Sequence, residues 1–136
     1  MHLDDIHSPE YQTLPKYLLT RVQLALVKAL EDVDDDPRQR AAEALGTVAQ
    51  GSNALANSLA QVMGQDNNGE VRRNAALSLA RLGLQTTTAV DALTRGMTDK
   101  NHYVRGFSVH GLERIGTPNA LRAALQHLQT MRWDGV

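Results

Sequence analysis

The stretch Glu70-Val-Arg-Arg-Asn-Ala-Ala-Leu-Ser-Leu-Ala-Arg-Leu-Gly83 decides the fold, because two other parts of the chain repeat its pattern. Placing Ala41 on Ala75, and Ala75 on Ser108, aligns stretches that lie 34 and 33 residues apart. The alignment superposes arginines, leucines, other aliphatic residues and small residues: Arg38, Arg72 and Arg105; Leu45, Leu79 and Leu112; Val48, Leu82 and Ile115; Ala44, Ser78 and Gly111. Self-similarity at a period of this size is typical of a stacked repeat array.

The repeated positions predict the buried face of a helix. Residues three and four apart lie on the same side of a helix, so positions 41, 44, 45 and 48 and their equivalents share one face. The large aliphatic residues would stabilise the fold by roughly 1.5–3 kcal/mol for each fully buried side chain. The small residues predict that neighbouring backbones approach closely. Gly111 fits this view. A glycine inside a helix costs about 1 kcal/mol relative to alanine, and this cost is understandable if a larger residue would push adjacent repeats apart.

Composition narrows the class of protein. The chain has 136 residues, no cysteine, a formal net charge of −1 and only 4% aromatic residues. This length fits one domain, and the abundance of alanine, leucine and valine favours closely packed helices. The near-neutral charge gives no reason to expect nucleic acid as a partner. No apolar run is long enough to cross a bilayer and the first residues lack a signal-peptide pattern, so we expect a cytoplasmic protein without membrane insertion.

Helix start and stop signals divide the chain into an opening helix and three antiparallel helix pairs. We expect an irregular N-terminal arm at 1–12, a single repeat domain at 13–131 and a tail at 132–136. The opening helix covers 13–32, the repeats cover about 36–65, 69–98 and 101–131, and helices stop at Gly51, Gly64, Gly83 and Gly116. The opening helix is either a cap or a lone second helix of an incomplete repeat. The predicted fold is an all-α, right-handed α-solenoid of about seven helices.

The recurrent arginines have two interpretations. Each lies in the first turn of a first helix, where it could bind phosphate or reach an acidic residue of a neighbouring inter-repeat loop. We favour the second interpretation, a ladder of ion pairs along the array. The available acceptors are Asp36, Asp66 and Asp99.

Five of the six residues at 31–36 are acidic, which raises the question of calcium. A calcium loop needs ligands at alternate positions, a glycine at its sharp turn and a distant bidentate glutamate, and this run has no such glycine. We therefore expect Asp36 to cap the next helix, with Pro37 at its first position.

The repeat pattern resembles a known family. The run Val-Arg-x-x-Ala-Ala-x-x-Leu-x-x-Leu-Gly, from Val71 to Gly83, is similar to the HEAT-like repeat of phycobilisome lyases. Val104 to Gly116 is a second good match, Pro37 to Val48 is a weaker one, and the resemblance covers about residues 36–131. It implies a HEAT-like solenoid. Some members, as pairs of different subunits, attach bilin chromophores to phycobiliproteins, whereas others act as adaptors without chemistry.

A third group of HEAT-like proteins, the deoxyhypusine hydroxylases, binds two irons through His-Glu dipeptides. This chain has no such dipeptide, so we set that activity aside. His102 and His110 are two helical turns apart and would need other ligands to share a metal. We predict no catalytic residue, no cofactor and no metal site.

The remaining candidates lie on the second helices, which usually line the concave side of helix-pair solenoids. The candidate protein-binding residues are Asn57, Gln61, Asp91, Thr94, Arg95, Arg122 and Gln126. This polar strip suits protein recognition better than nucleic acid, although a merely solvated face has the same composition. Trp133, the single tryptophan, is either a further binding residue or a cover for the open end of the last helix pair.

We therefore expect a protein-binding adaptor or scaffold that uses the concave face of a short HEAT-like solenoid. The resemblance implies a phycobilisome-related role, with a phycobiliprotein or a second HEAT-like subunit as the partner. The alternative is an enzyme, namely one subunit of a bilin chromophore lyase or isomerase.

Overall fold

Seven α-helices and no strand make up the part of the chain that the computed structural model describes, residues 15–48 and 53–134, with side chains to residue 130. The helices are α1 (Lys16–Ala29), α2 (Asp35–Val48), α3 (Asn53–Gln65), α4 (Gly69–Leu82), α5 (Thr87–Gly96), α6 (His102–Ile115) and α7 (Pro118–Asp134). The all-α solenoid is confirmed. The last helix runs beyond the expected limit at residue 131, and the predicted arm at 1–12 lies outside the described residues.

The helices form two layers. The first-helix layer consists of α2, α4 and α6, which pack side by side, while α3 packs against α5 and α5 against α7 in the second-helix layer. Between the layers lies one apolar core, built mainly from alanine and leucine; its fully buried leucines are Leu45, Leu55, Leu59, Leu79, Leu93 and Leu112. Each helix contacts only near neighbours along the array, as in other stacked repeats.

The closest helix hairpins differ from the predicted pairs. Helix α3 packs more extensively on α4 than on α2, and α5 packs more extensively on α6 than on α4. Helix α1 packs on α2 in the same way. The hairpins are therefore α1–α2, α3–α4 and α5–α6, each joined by an aspartate-containing loop. This arrangement gives α1 the position of a second helix and not that of an unrelated cap.

Helix ends follow side-chain chemistry in the second and third repeats. Asn68 accepts hydrogen bonds from the amides of Glu70 and Val71, at 2.8 and 3.1 Å. Asn101 does the same for α6, at 2.9 and 3.2 Å. These contacts satisfy amides that have no partner inside the helix. Gly83 and Gly116 have φ values of 58° and 69°, which confirms them as left-handed helix stops.

Two predicted helix ends are wrong. Gly64 has no positive φ and lies inside α3, which continues to Gln65 because helical backbone is open to glycine as well. Helix α2 begins at Asp35, so Asp36 is in its first turn instead of capping it, and it pairs with Arg40 at 3.2 Å. Gly51 lies outside the described residues.

Helices α2, α4 and α6 approach one another closely at positions where the sequence has small residues. An ideal Cβ on Gly111 would lie 3.2 Å from Cα of Ala80, and one on Gly46 would lie 2.7 Å from Cα of Ser78. Ser78 is fully buried and its hydroxyl donates to the carbonyl of Ala42 in the neighbouring helix. These contacts set the spacing of the first-helix layer.

Candidate protein-binding surface

The repeated arginines join consecutive inter-repeat loops. Nε of Arg38 donates to Asp66 Oδ2 at 3.0 Å, and Nε of Arg72 donates to Asp99 Oδ2 at 3.0 Å. Each arginine also donates from Nη1 to a carbonyl in the preceding loop: Arg38 to Asp32 at 2.8 Å, Arg72 to Asp66 at 2.9 Å and Arg105 to Asp99 at 2.8 Å. The ion-pair ladder is therefore confirmed for its first two members, although Asp36 is not one of its acceptors.

The ladder is a structural feature and not a phosphate site. The side chains of Arg72 and Asp99 are only 8% and 14% exposed, and their hydrogen-bonding groups face each other. Burial by itself would raise the pKa of Asp99. Hydrogen bonds from Arg72 and from the Asn101 amide, with the positive charges of Arg72 and Lys100, outweigh burial and lower that pKa below its ordinary value. The Asp99 carboxylate thus remains charged and paired with Arg72 at neutral pH.

The second-helix layer contains a cleft of about 420 Å³ between α5 and α7. Asp91 and Thr94 lie on its α5 side, and Arg122 and Gln126 lie on its α7 side. The cleft forms because α5 and α7 pack less closely than the first helices do. The structure thus brings four of the predicted site residues to one concave feature, which we call the α5–α7 cleft.

The other predicted residues lie elsewhere. Gln61 lines a separate cleft of about 270 Å³ between α1 and α3. Arg95 lines a smaller one, of about 170 Å³, between α3 and α5. Asn57 is exposed on α3, and the side chain of Trp133 lies outside the described residues. The predicted strip is therefore divided among several surface features.

The candidate residues chosen from the sequence did not include those at the starts of α5 and α7, which also line the cleft. Thr86 caps α5 by accepting from the Ala89 amide at 3.1 Å, and Thr117 accepts from the Ala120 amide at 3.3 Å. Both threonines line the α5–α7 cleft; the other missed residues are Gln85, Thr87, Val90, Asn119 and Ala123. Their meeting at one cleft depends on how α5 and α7 stack, and no spacing within either helix signals it.

The chemistry of the α5–α7 cleft is mostly neutral and polar. Hydroxyl and amide groups line it, together with one carboxylate and one guanidinium. Arg122 donates from Nη1 to Asn119 Oδ1 at 3.0 Å, which holds the guanidinium at the α7 wall. Within the described ranges no group of three His, Cys, Asp or Glu residues is arranged to hold a metal ion. None of the seven described helices is long and apolar enough to span a membrane.

Comparison with protein families shows which family the repeats belong to. The model for HEAT repeats matches residues 23–95 and, in an overlapping match, residues 56–136. No curated protein is significantly similar to the chain in sequence. HEAT repeats commonly mediate binding to other proteins, and extended stacked-helix surfaces suit that role. The two matches together span the chain from the middle of α1 to its last residue, so this protein belongs to the HEAT repeat family.

Proposed function

We propose that this protein is an adaptor that binds a partner protein in the α5–α7 cleft. The observation that carries this proposal is the convergence of Asp91, Thr94, Arg122 and Gln126 on one cleft of the second-helix layer. Clefts of about this volume bind ligands in many proteins, and extended helical-repeat surfaces commonly bind polypeptides.

The lining favours an extended polypeptide segment over a helix. An extended segment presents unpaired backbone amides and carbonyls, whereas a helix has satisfied them internally. The Thr87 hydroxyl and the side-chain amides of Asn119 and Gln126 can both donate and accept hydrogen bonds. Thr94 already donates to the Val90 carbonyl at 2.7 Å, so its hydroxyl is an acceptor for the segment. Asp91, on the α5 wall, would favour a basic side chain of the segment. Arg122, on the opposite α7 wall, would favour an acidic one.

A phycobiliprotein is the first partner to test, because the resemblance of the repeats implies a phycobilisome-related role. The experiment is a titration of purified phycobiliprotein against the wild-type chain and an Asp91→Ala/Arg122→Ala double variant. We expect the double variant to bind at least about tenfold more weakly, as removal of two interface residues often does. Asn57→Ala is the matched control, since Asn57 is exposed on α3 and outside the cleft.

Equal binding by the wild-type chain and the double variant would exclude the cleft as the binding surface. If no phycobiliprotein binds, the phycobilisome-related role is wrong. The cleft would then be tested by comparing proteins captured by wild type and Asn57→Ala with those captured by the double variant.

The alternative activity, a bilin lyase subunit, is less well supported by the same cleft. Small-molecule sites are lined mainly by apolar and aromatic side chains, whereas Val90 and Ala123 are the apolar residues of this lining. A lyase subunit should bind free bilin with a change in its visible absorbance. An unchanged spectrum, with and without a second HEAT-like subunit, would rule this activity out.

A further inference from the structure

The first-helix layer carries a second surface of different chemistry. Three arginine and two aromatic side chains lie on the surface of α4 and α6, where Phe107 is partly buried and also packs against the core. We call this surface the basic strip and define it as Arg73, Arg81, Tyr103, Phe107 and Arg114. It is separate from the α5–α7 cleft, and the proposal below does not depend on the adaptor function proposed above.

Side-chain contacts place the two helix faces next to each other. The guanidinium carbon of Arg73 lies 5.6 Å from the centre of the Tyr103 ring. The rings of Tyr103 and Phe107 are stacked, with centres 6.5 Å apart. At the other end of α4, Nε of Arg114 lies 3.6 Å from the position that a Cβ on Gly83 would occupy. Arg73 and Arg81 are two helical turns apart, so the strip extends along both helices.

Three of the five strip residues are exposed, Arg73 and Phe107 are partly exposed, and the arginines of the strip have no ion-pair partner in the described part of the chain. Tyr103 is 49% exposed, and Arg81 and Arg114 are exposed. Among the described residues, no ion pair involves Arg73, Arg81 or Arg114, whereas Arg38, Arg40 and Arg72 each have a carboxylate within 3.2 Å or less. Arginine beside tyrosine is the composition typical of binding hot spots.

We propose that the basic strip binds an acidic segment of a partner protein. The carboxylates of this acidic segment would pair with Arg81 and Arg114. An apolar side chain of the segment would pack on Tyr103 and Phe107. Nucleic acid fits less well, because the strip has three arginines and the chain as a whole has a net charge of −1. The acidic run at 31–36 on the same molecule would also repel a long polyanion.

The experiment uses the full chain and a fluorescent peptide of alternating glutamate and leucine residues, with fluorescence anisotropy as the readout at low salt. We expect saturable binding that weakens about tenfold in an Arg81→Glu/Arg114→Glu variant, because surface charge pairs act additively when they are separated. Binding should also weaken several-fold in Tyr103→Ala and at high salt. Circular dichroism and thermal melting would verify that both variants remain folded.

Arg40→Glu is the matched control. Arg40 is exposed on α2 in the same layer, so its reversal changes the net charge without altering the strip. The proposal is overturned if the peptide does not bind, or if Arg40→Glu weakens binding per reversed charge as much as the strip variant. Tighter binding of a single-stranded oligonucleotide of equal charge, with the same dependence on Arg81 and Arg114, would also overturn it in favour of nucleic acid.

Discussion

Asp99 shows how one residue contributes to the array. Its lowered pKa means that the folded state binds the proton less tightly than the unfolded state does. The stabilisation is therefore fully present above the unfolded-state pKa of about 3.9, and it is lost as the pH falls toward the lower folded-state pKa. We expect Asp99→Asn to reduce the free energy of unfolding at pH 7 by roughly 1–3 kcal/mol. The difference from wild type should shrink below about pH 4.

Thermal melting of both proteins from pH 3 to pH 7 checks this prediction. Asp36→Asn is the control, because the Asp36 and Arg40 side chains are 70% and 68% exposed, and such surface pairs contribute about 0–1 kcal/mol. A difference between wild type and Asp99→Asn that stays constant with pH would show that the charge of Asp99 is not the cause.

Two buried serines should respond in opposite ways to removal of the hydroxyl. Ser78 donates to the Ala42 carbonyl, whereas the hydroxyl of Ser108, also fully buried, has no hydrogen-bond partner among the described residues. We expect Ser78→Ala to lower the free energy of unfolding by about 1–2 kcal/mol. Ser108→Ala should leave it unchanged or raise it by about 1 kcal/mol, because an unsatisfied buried hydroxyl is removed.

Chemical denaturation of the two single variants provides the measurement. Each serves as the control for the other, since both changes remove the same atom from a fully buried position. Equal losses of stability would mean that cavity formation, and not hydrogen bonding, governs both sites.

Helix α6 contains a matched pair of glycines with opposite surroundings. A Cβ on Gly111 would lie 2.9 Å from Leu93 Cδ1 and 3.2 Å from Ala80 Cα, whereas a Cβ on Gly106 would meet nothing within 4 Å. We expect Gly111→Leu to destabilise the protein by roughly 1–3 kcal/mol through overpacking. Gly106→Ala should stabilise it by up to about 1 kcal/mol through helix propensity.

The melting temperatures of the Gly111→Leu and Gly106→Ala variants test these two predictions. If Gly111→Leu melts at or above the wild-type temperature, the close approach of α4 and α6 does not set the repeat spacing. The glycines at helix ends show which ends could be predicted from the sequence. Gly64 and Gly83 look alike in the local sequence, but only Gly83 adopts a left-handed conformation.

The whole molecule is held together by contacts between neighbours in the array. Helix α4 has neighbours on both sides and eight buried residues, including Arg72 and Ser78. Local openings are least favourable where such contacts are densest. We expect amide hydrogen exchange to be slowest in α4 and faster in α1 and α7, which lie at the two ends of the described array. Uniform exchange across all helices would indicate a single unfolding unit with no weaker ends.

The two proposed binding surfaces also depend on the packing of the whole molecule. The sequence placed Asp91, Thr94, Arg122 and Gln126 on second helices, but their common cleft depends on the packing of α5 against α7. The basic strip likewise joins Arg73 to Tyr103 across two repeats, so the spacing within either helix does not reveal it.

By itself, the sequence determined the helical repeat, most of its core positions and the stops at Gly83 and Gly116, and it favoured the arginine ladder over a phosphate site. These features rest on local periodicity and on capping chemistry that recurs in each repeat. The tertiary structure decided that the most closely packed hairpins are those joined by the aspartate-containing loops. It also decided that Gly64 remains helical and which polar residues meet at the surface. The physical reason is that helix-to-helix distances depend on side-chain packing between repeats, which no single helix encodes.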